Sequence, residues 1–271
     1  MKKAIIVDHL SYLNQLKNVS FTIQKGEIVG IIGGLNSGRL QITKIITGIL
    51  KSTSGFVSVI DHDPYLKNCD FLQKISFIKE FRKEIKSALS PIDVLQITKD
   101  IYSIVDRQFN KNLDELTKYI KDPYLLNSFI YKPEVVVVEN PNFEIDPIYE
   151  YINKNEFTAL ISSEKIDNLV NLTRRLIILK EGEIIFDGAI EEVLNKYATD
   201  KIIKLKLLTD IDVKTVENLG VIKKYSHPYL HIAVPRETVN FICSELLLNL
   251  PVITVEIEEL SVEEIINNMK L

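Results

Sequence analysis

Gly33 and Gly38 bracket a short stretch, Gly34-Leu-Asn-Ser37, between an apolar run at Ile28–Ile32 and a helical pattern over Ile42–Leu50. Strand, glycines at this spacing, then helix is the outline of a loop that holds phosphate on backbone N–H groups and a helix N-terminus. Asn36 lies inside the loop, and asparagine tolerates φ > 0 better than most residues. The two positions after Gly38 carry the side-chain chemistry of such a loop: a lysine on the phosphates and a hydroxyl on Mg²⁺. Here they are Arg39 and Leu40. Arg39 keeps the charge but brings a wide planar fork in place of a compact ammonium. Leu40 has no oxygen, and Gln41 beside it is a poor magnesium ligand. The scaffold points to a nucleotide, while its side chains do not favour a properly held metal.

The elements that must position this loop are legible around it. Residues 3–8 and 19–23 alternate and are rich in Ile, Val and Phe, the pattern of strands. Lys25-Gly26 turns into the strand of the loop, and residues 56–60 and 75–79 are further short strands. From about 85 to 130 the period becomes helical, with Ile92, Leu95, Ile101, Ile104 and then Leu113, Leu116, Ile120. Val135–Val138 is four valines in a row, which suits a strand buried on both faces of a parallel sheet. Thr158–Ser162 and Leu176–Leu179 supply later strands, and Glu191–Tyr197 a closing helix. Beyond it the rhythm changes: strand at Ile202–Leu208, helix at Val213–Leu219, a hairpin of Val221–Tyr225 and Tyr229–Val234, helix at Glu237–Leu248, strand at Val252–Ile257. That order is βαββαβ, the ferredoxin-like arrangement, and Ser261–Met269 reads as a terminal helix.

Composition sets bounds. A chain of 271 residues holds one α/β domain and a smaller appendage. It is 46% hydrophobic and 26% charged, as for a globular protein, and a net charge of −4 gives no footprint for nucleic acid. Cys69 and Cys243 are too few for a disulfide framework or zinc site and read as buried thiols of a reducing compartment. The opening apolar run meets Asp8-His9 too soon for a signal peptide. No run reaches the roughly 18–20 apolar residues of a membrane helix, so direct insertion is not expected.

Several longer segments carry a resemblance. Asn18–Gly33, Ile46–Gly55, Lys132-Pro-Glu-Val-Val-Val-Val-Glu-Asn-Pro141, Asp146-Pro147, Leu160–Glu164 and Leu179–Gly188 together resemble the nucleotide-binding domain of ABC transporters, in the family's order, over residues 1–198. The single domain with a C-terminal extension at 199–271 looks most like the ATP-binding subunits of ABC-2 type exporters. The resemblance implies an α/β fold: an ABC-type P-loop NTPase domain with a mixed, mostly parallel sheet, antiparallel strands and a helical subdomain at about 85–130, followed by a small α+β domain.

It also implies roles for particular positions. Gly33, Asn36, Ser37, Gly38, Arg39, Leu40 and Gln41 form the nucleotide loop. Tyr12 is the candidate for the aromatic residue that stacks on adenine. Glu139 holds the Walker B position, one methylene longer than the family's Asp. Asn140 stands at the catalytic Glu position; an amide orients water but takes up no proton near neutral pH. Glu164 replaces the switch histidine, Glu80 falls at the Q-loop and Asp146 at the D-loop. The signature that binds a partner's nucleotide through backbone amides falls at Glu115-Leu-Thr-Lys-Tyr119, which has no glycine. Phosphoryl transfer depends on positioned charge and metal, so these changes together imply weak ATP binding, doubtful Mg²⁺ and little or no hydrolysis. Arg39 and Glu139, both longer than the residues they replace, are expected to pair directly, with Glu164 nearby.

The implied partners are an integral membrane transporter subunit and a second ATP-binding subunit, as homodimer or heterodimer, at the cytoplasmic face of the membrane. Two alternatives stand beside this reading: a working ATPase with unusual site residues, and a nucleotide-independent regulatory or scaffold protein. Four histidines show no metal spacing. Lys201-Ile-Ile-Lys-Leu-Lys reads as an edge strand with its lysines in water, and Glu256, Glu258, Glu259, Glu263 and Glu264 as a solvated acidic face.

Overall fold

The computed structural model describes residues 2–79, 89–140 and 146–269, and of residues 123, 124, 146, 147, 262 and 263 the backbone alone. The chain forms two compact units, Met1–Glu164 with Asn168–Gly188, and Lys165–Asp167 with Ala189–Leu271. The division falls after Gly188, ahead of the boundary expected after residue 198.

In the first unit, β1 (Lys3–Tyr12), β2 (Leu16–Gln24) and β4 (Ser54–Val59) make an antiparallel sheet in the order β2-β1-β4. A second sheet contains β3 (Ile28–Ile32), β5 (Ile75–Lys79), β6 (Val135–Glu139), β7 (Thr158–Ser163), β8 (Arg175–Lys180) and β9 (Glu183–Ala189), in the order β5-β6-β7-β3-β8-β9. The pairs β5–β6, β6–β7, β7–β3 and β3–β8 are parallel. β6 consists of fully buried valines up to Glu139, and their branched side chains suit a strand covered on both faces. The helix after the loop, α1 (Arg39–Ile46), starts and ends earlier than the apolar pattern suggested. It is short because Thr47-Gly48 follows, with Gly48 at φ +74 beneath the Pro64 carbonyl. Of its five buried residues, Arg39, Ile42, Thr43 and Ile46 lie on one face at helical spacing, and Ile45 flanks them. Ile42, Ile45 and Ile46 belong to the same apolar cluster as residues of β1–β4 and β6.

The helical stretch contains α3 (Pro91–Ile101), α4 (Asp106–Leu116) and α5 (Pro123–Asn127), after a short α2 (Cys69–Lys74); residues 85–88 of the expected subdomain lie outside the described residues. Ser90 and Asp93 close a capping box on α3, with Pro91 at its first position. A helix α6 (Asp146–Lys154) precedes β7. Cys69 is exposed and Cys243 buried, so only the second thiol has the burial expected of it.

The second unit begins with α7 (Ile190–Lys196) and carries β10 (Asp200–Leu207), β11 (Val221–Ser226), β12 (Tyr229–Pro235), α8 (Val239–Asn249), β13 (Val252–Glu259) and α9 (Val262–Asn268). Its sheet is antiparallel in the order β11-β12-β10-β13. Where a first helix was expected, at 213–219, there are two successive 3₁₀ turns, Val213–Thr215 and Glu217–Leu219. Three β-branched residues in four (Val213, Thr215, Val216) weaken an α-helix, and Asp212 caps the tighter turn by accepting from Lys214 N–H at 3.0 Å. β10 is a central strand, not an edge: Lys201 pairs with Glu259 at 3.2 Å and Lys204 bonds Glu258 at 2.5 Å. Glu259 is buried and also bonds Arg236, so the acidic segment is a cross-strand partner for cations and not a wholly solvated face.

Candidate functional site

The loop between β3 and α1 closes tightly. A Cβ on Gly33 would lie 2.3 Å from Ser37 Oγ and 2.8 Å from the Leu179 carbonyl, so only glycine fits. The left-handed conformation falls on Gly38, at φ +91, and not on Asn36. Ser37 N–H donates to the Gly34 carbonyl at 3.1 Å, and the Ser37 carbonyl accepts from Gly182 N–H at 3.1 Å. Ser37 is buried and Asn36 exposed.

Arg39 begins α1 on the helix face that turns inward and is only 1% exposed. Its Nε donates to the Gly33 carbonyl at 3.0 Å, its Nη1 to Ser162 Oγ at 3.0 Å, and its Nη2 pairs with Glu164. The pairing expected with Glu139 is therefore not made: the guanidinium folds back over its own loop toward the end of β7. Burial pulls the Arg39 guanidinium below its usual pKa, and the carboxylates of Glu164 and Glu139 oppose that pull. Glu164 is half-exposed, with a side chain 49% accessible.

Glu139 ends β6 with a buried carboxylate. Thr43 Oγ1 donates to its Oε2 at 3.0 Å, and Lys79 Nζ stands 3.6 Å from its Oε1. Thr43 lies one turn beyond Arg39 on the same helix face, and Lys79 is Glu139's register partner across β5–β6. Neither was singled out in the sequence, although helical period marks Thr43 and strand pairing marks Lys79 once β5 and β6 are neighbours. Ser162 was likewise passed over. Around the loop, Arg39 and Lys79 face Glu164 and Glu139, two cations to two anions. Leu40 and Gln41 are half-buried and no oxygen of Leu40's side chain exists to reach a metal.

Asn140 follows at φ +46, its N–H donating to the Ser162 carbonyl at 2.7 Å. Its Oδ1 is buried with no hydrogen-bond partner among the described residues. Tyr12 is half-buried and packs against the apolar core at the end of β1. Asp146 starts α6, but its side chain lies outside the described residues, as does Glu80 altogether. Glu115–Tyr119 is the C-terminal end of α4 and its turn. A helix C-terminus presents carbonyls and partial negative charge, the reverse of the backbone amides a signature offers. Glu115 there pairs with Lys132 at 3.1 Å, and Tyr119 accepts from Lys154 at 2.7 Å. Among the described residues no group of histidines, cysteines and carboxylates is placed to hold a metal ion, and no helix is long and apolar enough to cross a membrane.

Parallel strands, a glycine loop opening a buried helix, and a separate antiparallel sheet define the ABC-type P-loop NTPase fold. Residues 16–133 match the ABC transporter family. The chain is similar to the ribose import ATP-binding protein RbsA of Clostridium perfringens, 28% identical over 223 residues, covering 67% of this chain and 44% of that protein. It is similar also to an uncharacterized ABC transporter ATP-binding protein of Methanocaldococcus jannaschii, 26% identical over 223 residues, covering 73% of this chain and 82% of that protein. The solved structure of an ATP-binding subunit of an ABC transporter shares the fold with a TM-score of 0.63 at 17% identity, covering 72% of this chain and 93% of that one. The chain spans about half the length of the ribose import relatives it matches. The fold is that of an ABC-type P-loop NTPase, and the matched segment and the relatives are similar to ABC transporter ATP-binding proteins.

Proposed function

We propose that this chain is an ABC transporter ATP-binding subunit with a degenerate nucleotide site, that it hydrolyses little or no ATP, and that it serves as a docking and coupling partner in a membrane transporter. One observation carries the reading: the Arg39 guanidinium is consumed inside the protein, by the Gly33 carbonyl, Ser162 and Glu164. A phosphate approaching the loop meets a carboxylate already on the guanidinium. Mg²⁺–ATP does not fit these residues: Leu40 offers no oxygen, Glu139 is held by Thr43 and Lys79, and Asn140 takes up no proton.

The partners proposed are an integral membrane subunit, met at the cytoplasmic face, and a second ATP-binding subunit that is identical or intact. The carbonyl end of α4 at Glu115–Tyr119 argues against completing a partner's ATP site there. Coupling through the fold is the role that remains. A small α+β unit after the ATPase domain supports the ABC-2 exporter kind, although the relatives include import proteins.

The test is a thermal-shift and calorimetric titration of the chain with ATP, ADP and AMP-PNP, each with and without Mg²⁺. The expected result is no shift and no heat. A dissociation constant tighter than about 100 µM, roughly 5.5 kcal/mol, overturns the reading. It would favour a second one, an ATPase with unusual residues, for which the half-exposed Glu164 is the group free to swing away.

A further inference from the structure

The second unit contains a cavity of about 500 Å³ between its two 3₁₀ turns and the C-terminal end of α8. Its volume is that of a small-molecule site. Residues 213–219, which wind as tight turns where an α-helix was expected, supply part of its lining. Its apolar wall includes Val216, Leu246 and Leu250, the first two buried members of the unit's core.

Two features set the charge of what it takes, and a hydrogen bond positions one of the carboxylates. Asp212 and Glu245 both line the cavity, and among the described residues no lysine, arginine or histidine does. The wall is also the C-terminal turn of α8, whose last turn has no basic residue to offset the negative end of the helix. Asn249 turns inward on its own helix, donating from Nδ2 to the Glu245 carbonyl at 2.8 Å and to Glu245 Oε2 at 3.3 Å, and so holds that carboxylate at the rim. Carboxylates, a helix C-terminus and an apolar wall converge on one occupant: a cation with an apolar body.

We propose that this cavity is a binding site for a small amphipathic amine, with its ammonium on Glu245 and Asp212 and its chain against Leu246 and Leu250. The site is independent of the nucleotide loop. The test titrates the full chain with hexylammonium, hexanoate and hexanol at matched ionic strength, following melting temperature and Leu methyl chemical shifts. Hexylammonium is expected to raise the melting temperature and perturb the methyls of Leu246 and Leu250, and hexanoate to do neither. Glu245→Gln, whose amide preserves the packing, is expected to weaken hexylammonium binding about tenfold, and Asp212→Asn, which keeps the turn cap, to weaken it in the same direction. Equal responses to hexylammonium and hexanoate, no response to hexylammonium up to about 10 mM, or unchanged affinity in Glu245→Gln overturns the proposal.

Discussion

The Arg39 guanidinium and the Glu164 carboxylate meet across the closed glycine loop, joining the first residue of α1 to the residue that follows β7. Among the described residues Arg39 pairs with no other carboxylate: its other guanidinium contacts there are a carbonyl and a hydroxyl, and Glu139 acts on it only at longer range. A double-mutant cycle measures the pairing. Arg39→Met with Glu164→Gln is expected to show coupling of about 1–2 kcal/mol in urea unfolding, moderated by the half-exposed carboxylate. Arg39→Met with Glu139→Gln is expected to show less. The reverse order would mean that Arg39 answers to β6 and not to β7.

Glu164 occupies the place an anion would take on Arg39. Removing it by Glu164→Ala leaves a buried guanidinium short of a counter-charge, at a cost of about 1–3 kcal/mol. The same variant is expected to gain affinity for inorganic phosphate and for ATP, at least about tenfold over the wild type. Equal affinity in calorimetry for the two proteins would show that the carboxylate does not occlude the loop.

Gly38 and Gly26 both lie at positive φ, at +91° and +79°, but in different surroundings. A Cβ on Gly38 meets Leu16 Cδ2 at 2.4 Å and the Gln15 carbonyl at 2.5 Å, whereas on Gly26 the nearest atom is 3.6 Å away. Gly26→Ala is expected to cost about 1–2 kcal/mol, the backbone term alone. Gly38→Ala adds the clash and is expected to cost about 3 kcal/mol or more. Similar melting temperatures for the two variants would place the loop away from the β1–β2 hairpin.

Acid is expected to destabilise the second unit in two stages. His231 titrates below its ordinary value, through burial and the neighbouring Lys204 and Lys224, with Glu258 opposing. The unfolded chain therefore binds more protons there, and stability falls as pH drops below about 6.5. Glu258 is held low chiefly by its hydrogen bond from Lys204. Its contribution is present above an unfolded pKa of about 4.3 and is lost as pH falls through the lower folded value. Melting curves of His231→Asn should lose the upper stage and keep the lower. A profile unchanged between about pH 7 and 5 would remove His231 from the account.

The local elements were readable because their signals are local. Four consecutive valines, a glycine pair at fixed spacing, and alternation in β1 and β2 announce strand, loop and strand without reference to anything distant. The expected helix at 213–219 failed on the same ground, since its apolar spacing was read over three β-branched residues and an Asp cap that favour a tighter turn. β10 was taken for an edge strand because lysine alternation looks the same whether water or a neighbouring strand's glutamates lie beyond it.

The amino-acid sequence alone made the ABC-type P-loop fold legible and put Arg39 and Leu40 after the loop's second glycine, because residue identities and local patterns need no coordinates. Who pairs with whom was decided by tertiary structure. Arg39 and Glu139 looked like partners because both had grown longer, yet a guanidinium goes where its several donors are satisfied together. The Gly33 carbonyl, Ser162 Oγ and Glu164 provide that set on one side of the loop. Glu139, left to β6, is met by Thr43 and Lys79, which only helix phase and strand register bring to it. Length and charge limit what a side chain can reach, and the order β5-β6-β7-β3 decides which groups lie within that reach.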